Sequence, residues 1–323
     1  MFYYVFMISY FSASDFYKKL FGQKVYKISL DAGCTCPTRD GTKGIGGCIF
    51  CSASGSGDFA SSKNLSIKEQ VEQAKKLVEN KLPSKKQNQE KKYIAYFQNF
   101  TNTYGNQDLL IEKFNQAINQ ENIVGISIGT RPDCLSNEMI KKISELRPSI
   151  QDENQEFHIS IELGFQTSNE NSAKFIRRGY ENSVYLDCVN RIHKIAPEIH
   201  VITHLIFGLP EETQDDMLKS VEFVLNAQTD GIKFTVLHIL ENTDLATLWE
   251  EGKVSTLTQE EYFEILKKSL NLINSFEDTS QNDKKIVIHR LTGDGAKKIL
   301  LAPMWTANKK KVLNDLTSFL KNN

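Results

Sequence analysis

Short apolar runs that favour β-strands alternate along this chain with amphipathic stretches that favour helices. The candidate strands are nearly continuous in apolar residues, as expected for strands buried on both faces: 24–30, 93–97, 124–129, 158–163, 200–207 and 231–237. The helices between them carry start signals, such as Ser66 followed three residues later by Glu69 in a capping-box pattern. This alternation predicts a parallel sheet with right-handed crossover connections.

The number of repeats limits which parallel fold the chain can adopt. A closed eight-stranded barrel normally takes about 250 residues, whereas this chain of 323 residues must also provide a long cysteine-containing loop and an N-terminal arm. We therefore predict an α/β fold with a partial (βα)6 TIM-like barrel, and a doubly wound sheet is the alternative. The predicted segments are an arm at 1–23, the barrel at 24–275, and a C-terminal extension at 276–323 with a further strand and a terminal helix.

The numbers of basic and acidic residues limit the kinds of partner that the protein is expected to bind. Lys and Arg total 39 against 40 Asp and Glu, which gives a net charge of −1 and an isoelectric point near 6.6. This balance offers no electrostatic argument for binding nucleic acid or an acidic membrane in bulk. The apolar start at 1–10 lacks a basic flank and is too short to cross a bilayer. We therefore expect a cytoplasmic protein with reduced thiols and no membrane partner.

Four of the six cysteines, Cys34, Cys36, Cys48 and Cys51, lie in the loop that follows the first predicted strand. In a parallel α/β fold such loops are at the edge of the sheet where active sites form. The last three cysteines have the spacing C-x11-C-x2-C. Three thiolates suit an iron–sulfur cluster with one iron left open, whereas a structural zinc usually takes four protein ligands. Cys34 is an awkward fourth ligand because it is only two residues from Cys36, so zinc binding is the alternative.

The wording of this loop, TCPTRDGTKGIGGCIFCSASGSGDFA, resembles the radical S-adenosylmethionine (SAM) superfamily. Within it, the sequence is similar to a bacterial branch called the YhcC-like group, which is related to the elongator catalytic subunit and oxygen-independent coproporphyrinogen oxidase. The resemblance covers nearly the whole chain, from about residue 14 to about residue 320. It implies that Cys36, Cys48 and Cys51 bind a [4Fe–4S] cluster and that SAM completes the coordination of the fourth iron. Cys34 stands where the branch more often has an aromatic or other apolar residue.

The same resemblance implies a set of SAM contacts at the ends of the predicted strands. Phe50 is expected beside the adenine, with ordinary packing as its alternative, and Gly208 is expected at the adenine-binding strand end. Gln166 is expected to bind the ribose and Arg178 the carboxylate, for which a bidentate guanidinium is well suited. The polar run at 98–102 is expected to supply a further contact from Gln98, Asn99, Thr101 or Asn102.

Other polar side chains fall inside or just after apolar strands. Glu162 lies within a strand, where a carboxylate is costly unless it is paired, and His204 is interpreted as a core histidine. Arg131 and Asp133 follow the third predicted strand, where they either face the pocket or form a surface ion pair. Candidates for a substrate pocket that the sequence leaves unassigned are Lys233, His238, His289, Arg290 and Asp294.

The resemblance implies an enzyme that uses an electron from the cluster to cleave SAM into methionine and a 5′-deoxyadenosyl radical, which removes hydrogen from an unidentified substrate. An electron donor such as flavodoxin or ferredoxin is then expected. Two other functions stay open: an RNA- or tRNA-modifying radical SAM enzyme, and a non-catalytic module with a structural zinc. No second cysteine triad is present for an auxiliary cluster.

Overall fold

The computed structural model describes residues 8–53, 55, 64–82, 90–149, 156–279, 284–293, 295 and 297–322. Its centre is a curled sheet of parallel strands in the order β1-β9-β7-β6-β5-β4-β3-β2. These strands are β1 Phe11–Ser12, β2 Val25–Leu30, β3 Lys92–Phe97, β4 Ile123–Thr130, β5 His158–Gln166, β6 His200–Phe207, β7 Gly231–Val236 and β9 Val287–Arg290. Two short strands, β8 Ile239–Leu240 and β10 Leu300–Ala302, form a separate antiparallel pair.

Helices connect the strands, and most of them cover the outer face of the sheet. They are α1 Ala13–Phe21, α2 Ile67–Glu79, α3 Gln107–Ile118, α4 Asn137–Ser144, α5 Glu170–Phe175, α6 Asn182–Ile195, α7 Gln214–Asn226, α8 Asp244–Glu250, α9 Gln259–Thr279 and α10 Lys309–Asn322. The predicted capping box is confirmed, because Ser66 Oγ accepts from Glu69 N and the Glu69 carboxylate accepts from Ser66 N. The described part of the chain contains no helix long and apolar enough to cross a membrane.

The predicted fold class, a partial TIM-like barrel, is confirmed. All six predicted strands form as β2 to β7, and the sheet gains two more parallel strands from the segments predicted as arm and extension. β9 pairs with the open edge of β7, and β1 then pairs with β9. These additions satisfy backbone groups that an unpaired edge strand would leave exposed.

The two faces of the sheet differ in polarity and in exposure. On β6, Val201 and Leu205 are fully buried against the outer helices, whereas His204 and Ile206 face the barrel interior and remain partly exposed. The same alternation occurs on β2, where the partly exposed Lys27 and Ser29 alternate with the buried Ile28 and Leu30. The outer face of the sheet therefore forms the core, and its inner face lines a solvent-accessible barrel interior.

The barrel is closed at its floor, the amino ends of the strands, by helix α1. The Phe16 ring stacks on His200 with the ring centroids 4.9 Å apart, and it meets His158 edge-on at 5.4 Å. His200 Nε2 lies 2.9 Å from His289 Nε2 on the neighbouring side of the floor. Burial lowers the pKa of His158 to about 3, so this imidazole stays neutral. The arm thus blocks one end of the barrel and leaves the carboxyl ends of the strands open.

Candidate functional site

The cysteine loop begins immediately after β2, at the open end of the barrel. The buried side chain of Gln70, on α2, accepts from Asp31 N at 2.8 Å and donates to Asp31 O at 3.1 Å. Asn99, after β3, donates to Asp31 Oδ2 at 2.7 Å. The first residue of the loop is therefore tied to two neighbouring elements, which fixes the direction in which the cysteines leave the sheet.

The loop brings the predicted ligands Cys36, Cys48 and Cys51 close to one another. The Cys51 N–H donates to Cys48 O at 3.0 Å, and Cys36 Sγ lies 3.0 Å from Thr101 Oγ1. Burial, reinforced by the negative charges of Cys51 and Cys36, raises the pKa of the Cys48 thiol to about 12. Three thiolates at this position therefore need a cationic group to balance them, and an iron–sulfur cluster supplies one. The residues present fit such a cluster.

Two arginines lie beside the thiols, and one of them holds the loop itself. Arg39 Nη2 donates to Cys51 O at 3.2 Å and to Ser52 O at 2.5 Å. Gly47 allows this approach, because a Cβ at that position would lie 2.8 Å from Arg39 Nε. Arg131 makes a bidentate pair with Asp133, with both N–O distances 2.9 Å. The alternative that Arg131 and Asp133 form a surface ion pair is wrong, because both side chains are buried.

Of the remaining cysteines, Cys34 and Cys188 do not join this group, and Cys134 is close enough to Cys36 for their charges to interact. Cys34 packs against the main core, and burial raises the pKa of its thiol to about 12. Burial likewise raises the pKa of Cys134 and of Cys188 to about 12. No group of three or more histidine, cysteine or carboxylate side chains in the described residues has the geometry of a preformed metal site, and this includes the three thiols of the loop. Neither Cys34 nor Cys188 supplies the fourth ligand that a structural zinc usually takes.

Gln166 ends β5 in an unusual backbone conformation at the open end of the barrel. Its φ angle is 69°, in the left-handed region, and the register with β6 shifts at this residue. A residue other than glycine in this region costs about 1–3 kcal/mol, and such strain is concentrated at functional sites. The side chain is partly exposed, and its amide makes no hydrogen bond to a described residue. That amide is therefore available to a ligand.

Arg178 lies in a different environment from the one predicted. The guanidinium is 1% exposed, and each of its five N–H groups has a protein acceptor. Nε donates to Tyr180 O (2.9 Å), Nη1 to Phe165 O (3.2 Å) and Thr167 O (2.7 Å), and Nη2 to Glu170 Oε2 (3.3 Å) and Asn182 Oδ1 (2.9 Å). This geometry leaves no donor for the carboxylate of SAM. Because Phe165 and Thr167 flank Gln166, Arg178 instead holds the strained end of β5.

We predict that Arg178→Ala lowers the free energy of unfolding by about 2–3 kcal/mol, because it leaves buried acceptors without donors. Arg177→Ala is the matched control: this neighbouring arginine is exposed and pairs with the exposed Asp244, so its loss should cost well under about 1 kcal/mol. Chemical unfolding of the two variants measures the difference. Equal stability of both variants would show that the buried hydrogen bonds contribute little.

Phe50 and Gly208 lie on the same side of the barrel as the cysteine loop. Phe50 is partly exposed and packs on a small apolar cluster that includes Ile49 and Leu209. Gly208 has a φ angle of 85°, and its N–H donates to Met217 Sδ at 3.2 Å. A Cβ at Gly208 would lie 2.8 Å from Leu257 Cγ, so this position requires glycine for close packing. Neither residue has a polar side-chain atom for a ligand, and any contact they make would be apolar or through the backbone.

Most polar side chains of the run after β3 form hydrogen bonds within the protein. Asn99 binds Asp31, and Asn102 Nδ2 donates to Phe97 O and Gly129 O at 3.0 and 2.8 Å. The Thr101 hydroxyl forms a hydrogen bond with the sulfur of Cys36. Gln98 is partly exposed and accepts from Ser29 Oγ at 3.1 Å, which places its side chain on the inner face of the barrel. Of the four candidates, Gln98 is the one that faces the accessible interior.

Deeper in the barrel, Glu162 is the centre of an ionic cluster that the sequence only partly indicated. Its Oε1 accepts from Lys27 Nζ at 2.6 Å and Ser127 Oγ at 2.7 Å. Its Oε2 lies 2.7 Å from His204 Nε2 and also binds Lys233 Nζ. The expectation that this buried carboxylate must be paired is confirmed. Burial alone would raise the pKa of Glu162, but Lys233 and Lys27 outweigh it and hold that pKa well below its usual range.

Sequence reasoning missed Lys27 and left Lys233, His238, His289, Arg290 and Asp294 unassigned. One feature of the sequence could have indicated Lys27. It lies within an apolar strand two residues before Ser29, so both polar side chains point to the same face of the sheet. His238 lies 3.2 Å from Thr306 Oγ1, His289 belongs to the barrel floor, and Asp294 is outside the described residues. Lys233 and Arg290 contribute to the interior cluster.

Comparison with known proteins identifies the family. The chain matches the Radical SAM superfamily model over residues 44–224 and the Radical_SAM C-terminal domain model over 229–322. It is 37% identical over 302 residues to the uncharacterised protein YtqA of Bacillus subtilis (strain 168), covering 94% of this chain and 86% of that protein. It is 33% identical over 302 residues to protein YhcC of Escherichia coli (strain K12), covering 93% and 88%.

A solved structure supports the fold independently of this sequence similarity. The archaeal Elp3 of Methanocaldococcus infernus superposes with a TM-score of 0.61 at 15% identity, covering 92% of this chain. The chain spans 63% of that structure, so the likeness concerns the shared fold alone. The superfamily model matches more than half of this chain, and the three loop cysteines lie at the open end of a partial barrel. This chain is therefore an enzyme of the radical SAM superfamily, whose members use a [4Fe–4S] cluster and SAM.

Proposed function

We propose that this enzyme cleaves SAM reductively, with Cys36, Cys48 and Cys51 as the ligands of its [4Fe–4S] cluster, and removes hydrogen from an unidentified substrate. The observation that carries this proposal is the grouping of three thiols directly after β2, at the mouth of the accessible barrel. When bound and reduced, the cluster supplies the electron that cleaves SAM into methionine and a 5′-deoxyadenosyl radical. Release of 5′-deoxyadenosine from SAM is the direct test.

The residues around the thiols have separate roles in this proposal. The Thr101 hydroxyl next to Cys36 Sγ tunes the reduction potential, because hydrogen bonds to ligating sulfurs are one of the main influences on it. Arg39 holds the backbone of the last ligand through Cys51 O and Ser52 O. Arg131, paired with Asp133, adds a buried positive charge beside the thiols. The protein thereby fixes the ligand loop before a cofactor binds.

For SAM itself, we propose that Gln166 makes the direct polar contact and that Arg178 is a positioning residue. The free amide of Gln166 and its strained backbone support the first part. The two hydrogen bonds from Arg178 to the carbonyls on either side of Gln166 support the second. Phe50 and Gly208 are proposed to border the adenine through apolar and backbone contacts. Gln98 is proposed as the contact from the run after β3.

We predict that Gln166→Ala weakens SAM binding by up to roughly tenfold, the value of one neutral hydrogen bond. Iron content should stay unchanged, because Gln166 does not touch the cysteine loop. Gln116→Ala is the control, since Gln116 lies on the outer surface of α3 and donates to Glu112. Calorimetric titration of SAM into the reconstituted proteins measures the effect. Wild-type affinity in Gln166→Ala would remove this residue from the site.

We further propose that flavodoxin or ferredoxin supplies the electron and that the enzyme works in the cytoplasm, where its thiols stay reduced. Both proposals follow from the superfamily chemistry, which requires a reductant. No observation on the described residues favours a nucleic-acid substrate, and the net charge of −1 adds no support for one.

A further inference from the structure

The interior of the barrel contains more positive than negative charge. Lys27 and Lys233 both bind the carboxylate of Glu162, and Arg290 lies opposite Lys233 in the register of β9 with β7. Among the described residues, no carboxylate lies within 4.0 Å of the Arg290 guanidinium, although its charge acts on Tyr96, Lys233 and His204. The described part of this cluster therefore has one anion for three basic side chains.

The carboxylate of Glu162 has no free hydrogen-bond acceptor for a third cation. Lys27 and Ser127 occupy Oε1, and His204 and Lys233 occupy Oε2, so the carboxylate already has four hydrogen-bonding partners. The Glu162 side chain is 0% exposed. A second anionic group is needed if all the positive charges in this space are to be compensated.

The cluster is accessible from the open end of the barrel. The side chains of Lys27 and His204 are 23% and 30% exposed, although both point inward. Further up the strands, Ile206, Thr235 and Gln166 are also partly exposed on the inner face. Partly exposed side chains therefore line this face from the proposed SAM contact at Gln166 down to Lys27 and His204.

The titration behaviour of Lys233 agrees with an excess of positive charge. Burial, together with the charges of Lys27 and Arg290, holds the pKa of Lys233 well below its usual range, although Glu162 acts in the opposite direction. The same Lys233 Nζ lies 4.4 Å from the centroid of the Tyr96 ring and 3.3 Å from its hydroxyl. An anion beside Lys233 would favour its charged form.

We infer that this part of the barrel binds an oxyanion of the substrate, a carboxylate or a phosphate, between Arg290, Lys27 and Lys233. This inference rests on the proposed function, since it names the chemical class of the molecule that the SAM-derived radical attacks. Arg offers a planar donor pair that matches either oxyanion, and the lysines add point charges. Because the site is largely shielded from water, these contacts are stronger than on the surface.

The test uses anaerobically reconstituted holoenzyme and calorimetric titration with succinate, with inorganic phosphate and with the neutral analogue succinamide. We expect one of the two anions to bind and succinamide not to bind. Arg290→Gln should weaken that binding by roughly tenfold or more, and Arg290→Lys should weaken it less, because lysine keeps the positive charge but not the planar donor pair. Arg147→Gln is the control, because Arg147 is on the outer surface beside α4 and donates only to local carbonyls.

Each outcome decides one part of the inference. Binding of succinate assigns a carboxylate, and binding of phosphate assigns a phosphate. Binding of neither anion to the wild type, or unchanged binding by Arg290→Gln, would overturn the oxyanion site. The proposed function fails separately, if the same holoenzyme releases no 5′-deoxyadenosine from SAM in the absence of any anion. Melting temperatures of the variants verify that each protein is folded.

Discussion

Replacing any one of Cys36, Cys48 and Cys51 with Ala is expected to abolish the cluster. Each thiolate is proposed to bind a different iron, and Cys34, the other cysteine of the loop, packs against the core instead. The two remaining thiolates would leave a second iron open to solvent, and the cluster would then be lost. Iron content and visible absorbance after anaerobic reconstitution measure the effect, which should approach complete loss from about four irons per chain, the number in a [4Fe–4S] cluster.

Cys34→Ala is the control for this series, because Cys34 differs from Cys36 by two positions and packs against the core. The variant should keep wild-type iron content, with only a small loss of stability from the missing sulfur. Iron loss in Cys34→Ala together with iron retention in Cys36→Ala would contradict the ligand assignment. Stoichiometric zinc in place of iron in the wild type would contradict the cluster itself.

Glu162→Ala is expected to cost the largest amount of stability of any single change to the barrel interior. The substitution leaves Lys27 and Lys233 without their shared carboxylate, and removing one partner from a buried ion pair typically costs about 3–5 kcal/mol. It also removes the acceptor of Ser127 Oγ. Chemical unfolding of the apoprotein, compared with wild type under identical conditions, gives the difference in free energy.

Glu138→Ala is the matched control for that measurement. Glu138 also pairs with a lysine, Lys142, but its side chain is 69% exposed, so its loss should change stability by less than about 1 kcal/mol. A loss of similar size in the two variants would contradict the account of Glu162 as the centre of a buried cluster. It would show instead that the interior is hydrated enough to solvate the lysines.

The strands of the barrel were predictable because strands covered by helices need continuous apolar residues. β5 shows where this reasoning stops: the predicted strand at 158–163 already contained Glu162, but the strand continues to Gln166. The inner face of an open barrel tolerates polar side chains and glycine, so Gly164 and Gln166 belong to the strand although they interrupt its apolar pattern. Binary patterning therefore underestimates strands that line a site.

The edge of the sheet was not predictable from local pattern. β1 is only two residues long, Phe11–Ser12, and it pairs with β9, near the other end of the chain. A strand this short has no periodicity of its own, and its pairing is decided by tertiary contacts such as those of Phe16 with the floor histidines. The role of the arm in closing the barrel floor follows from those contacts alone.

In the candidate site, the spacing of the cysteines pointed to three residues that lie together, but the hydrogen-bond partners of individual side chains were not predictable from the sequence. The spacing C-x11-C-x2-C led to three residues that the structure places close together. Arg178 was expected at SAM, but its hydrogen-bond acceptors come from β5 and from the turns around α5. Residues that meet across strands, such as Lys27 and Glu162, carry no mutual signal in a single sequence. Only the folded barrel brings their charges together.

Reductive cleavage of SAM at the grouped thiols can be measured through its two products. Reconstituted wild-type enzyme is reduced with dithionite and incubated with SAM, and 5′-deoxyadenosine and methionine are quantified by mass spectrometry. We expect release of both products by the wild type and none by Cys51→Ala. A wild-type protein with full iron occupancy that releases no 5′-deoxyadenosine, or equal release by Cys51→Ala, would contradict this expectation.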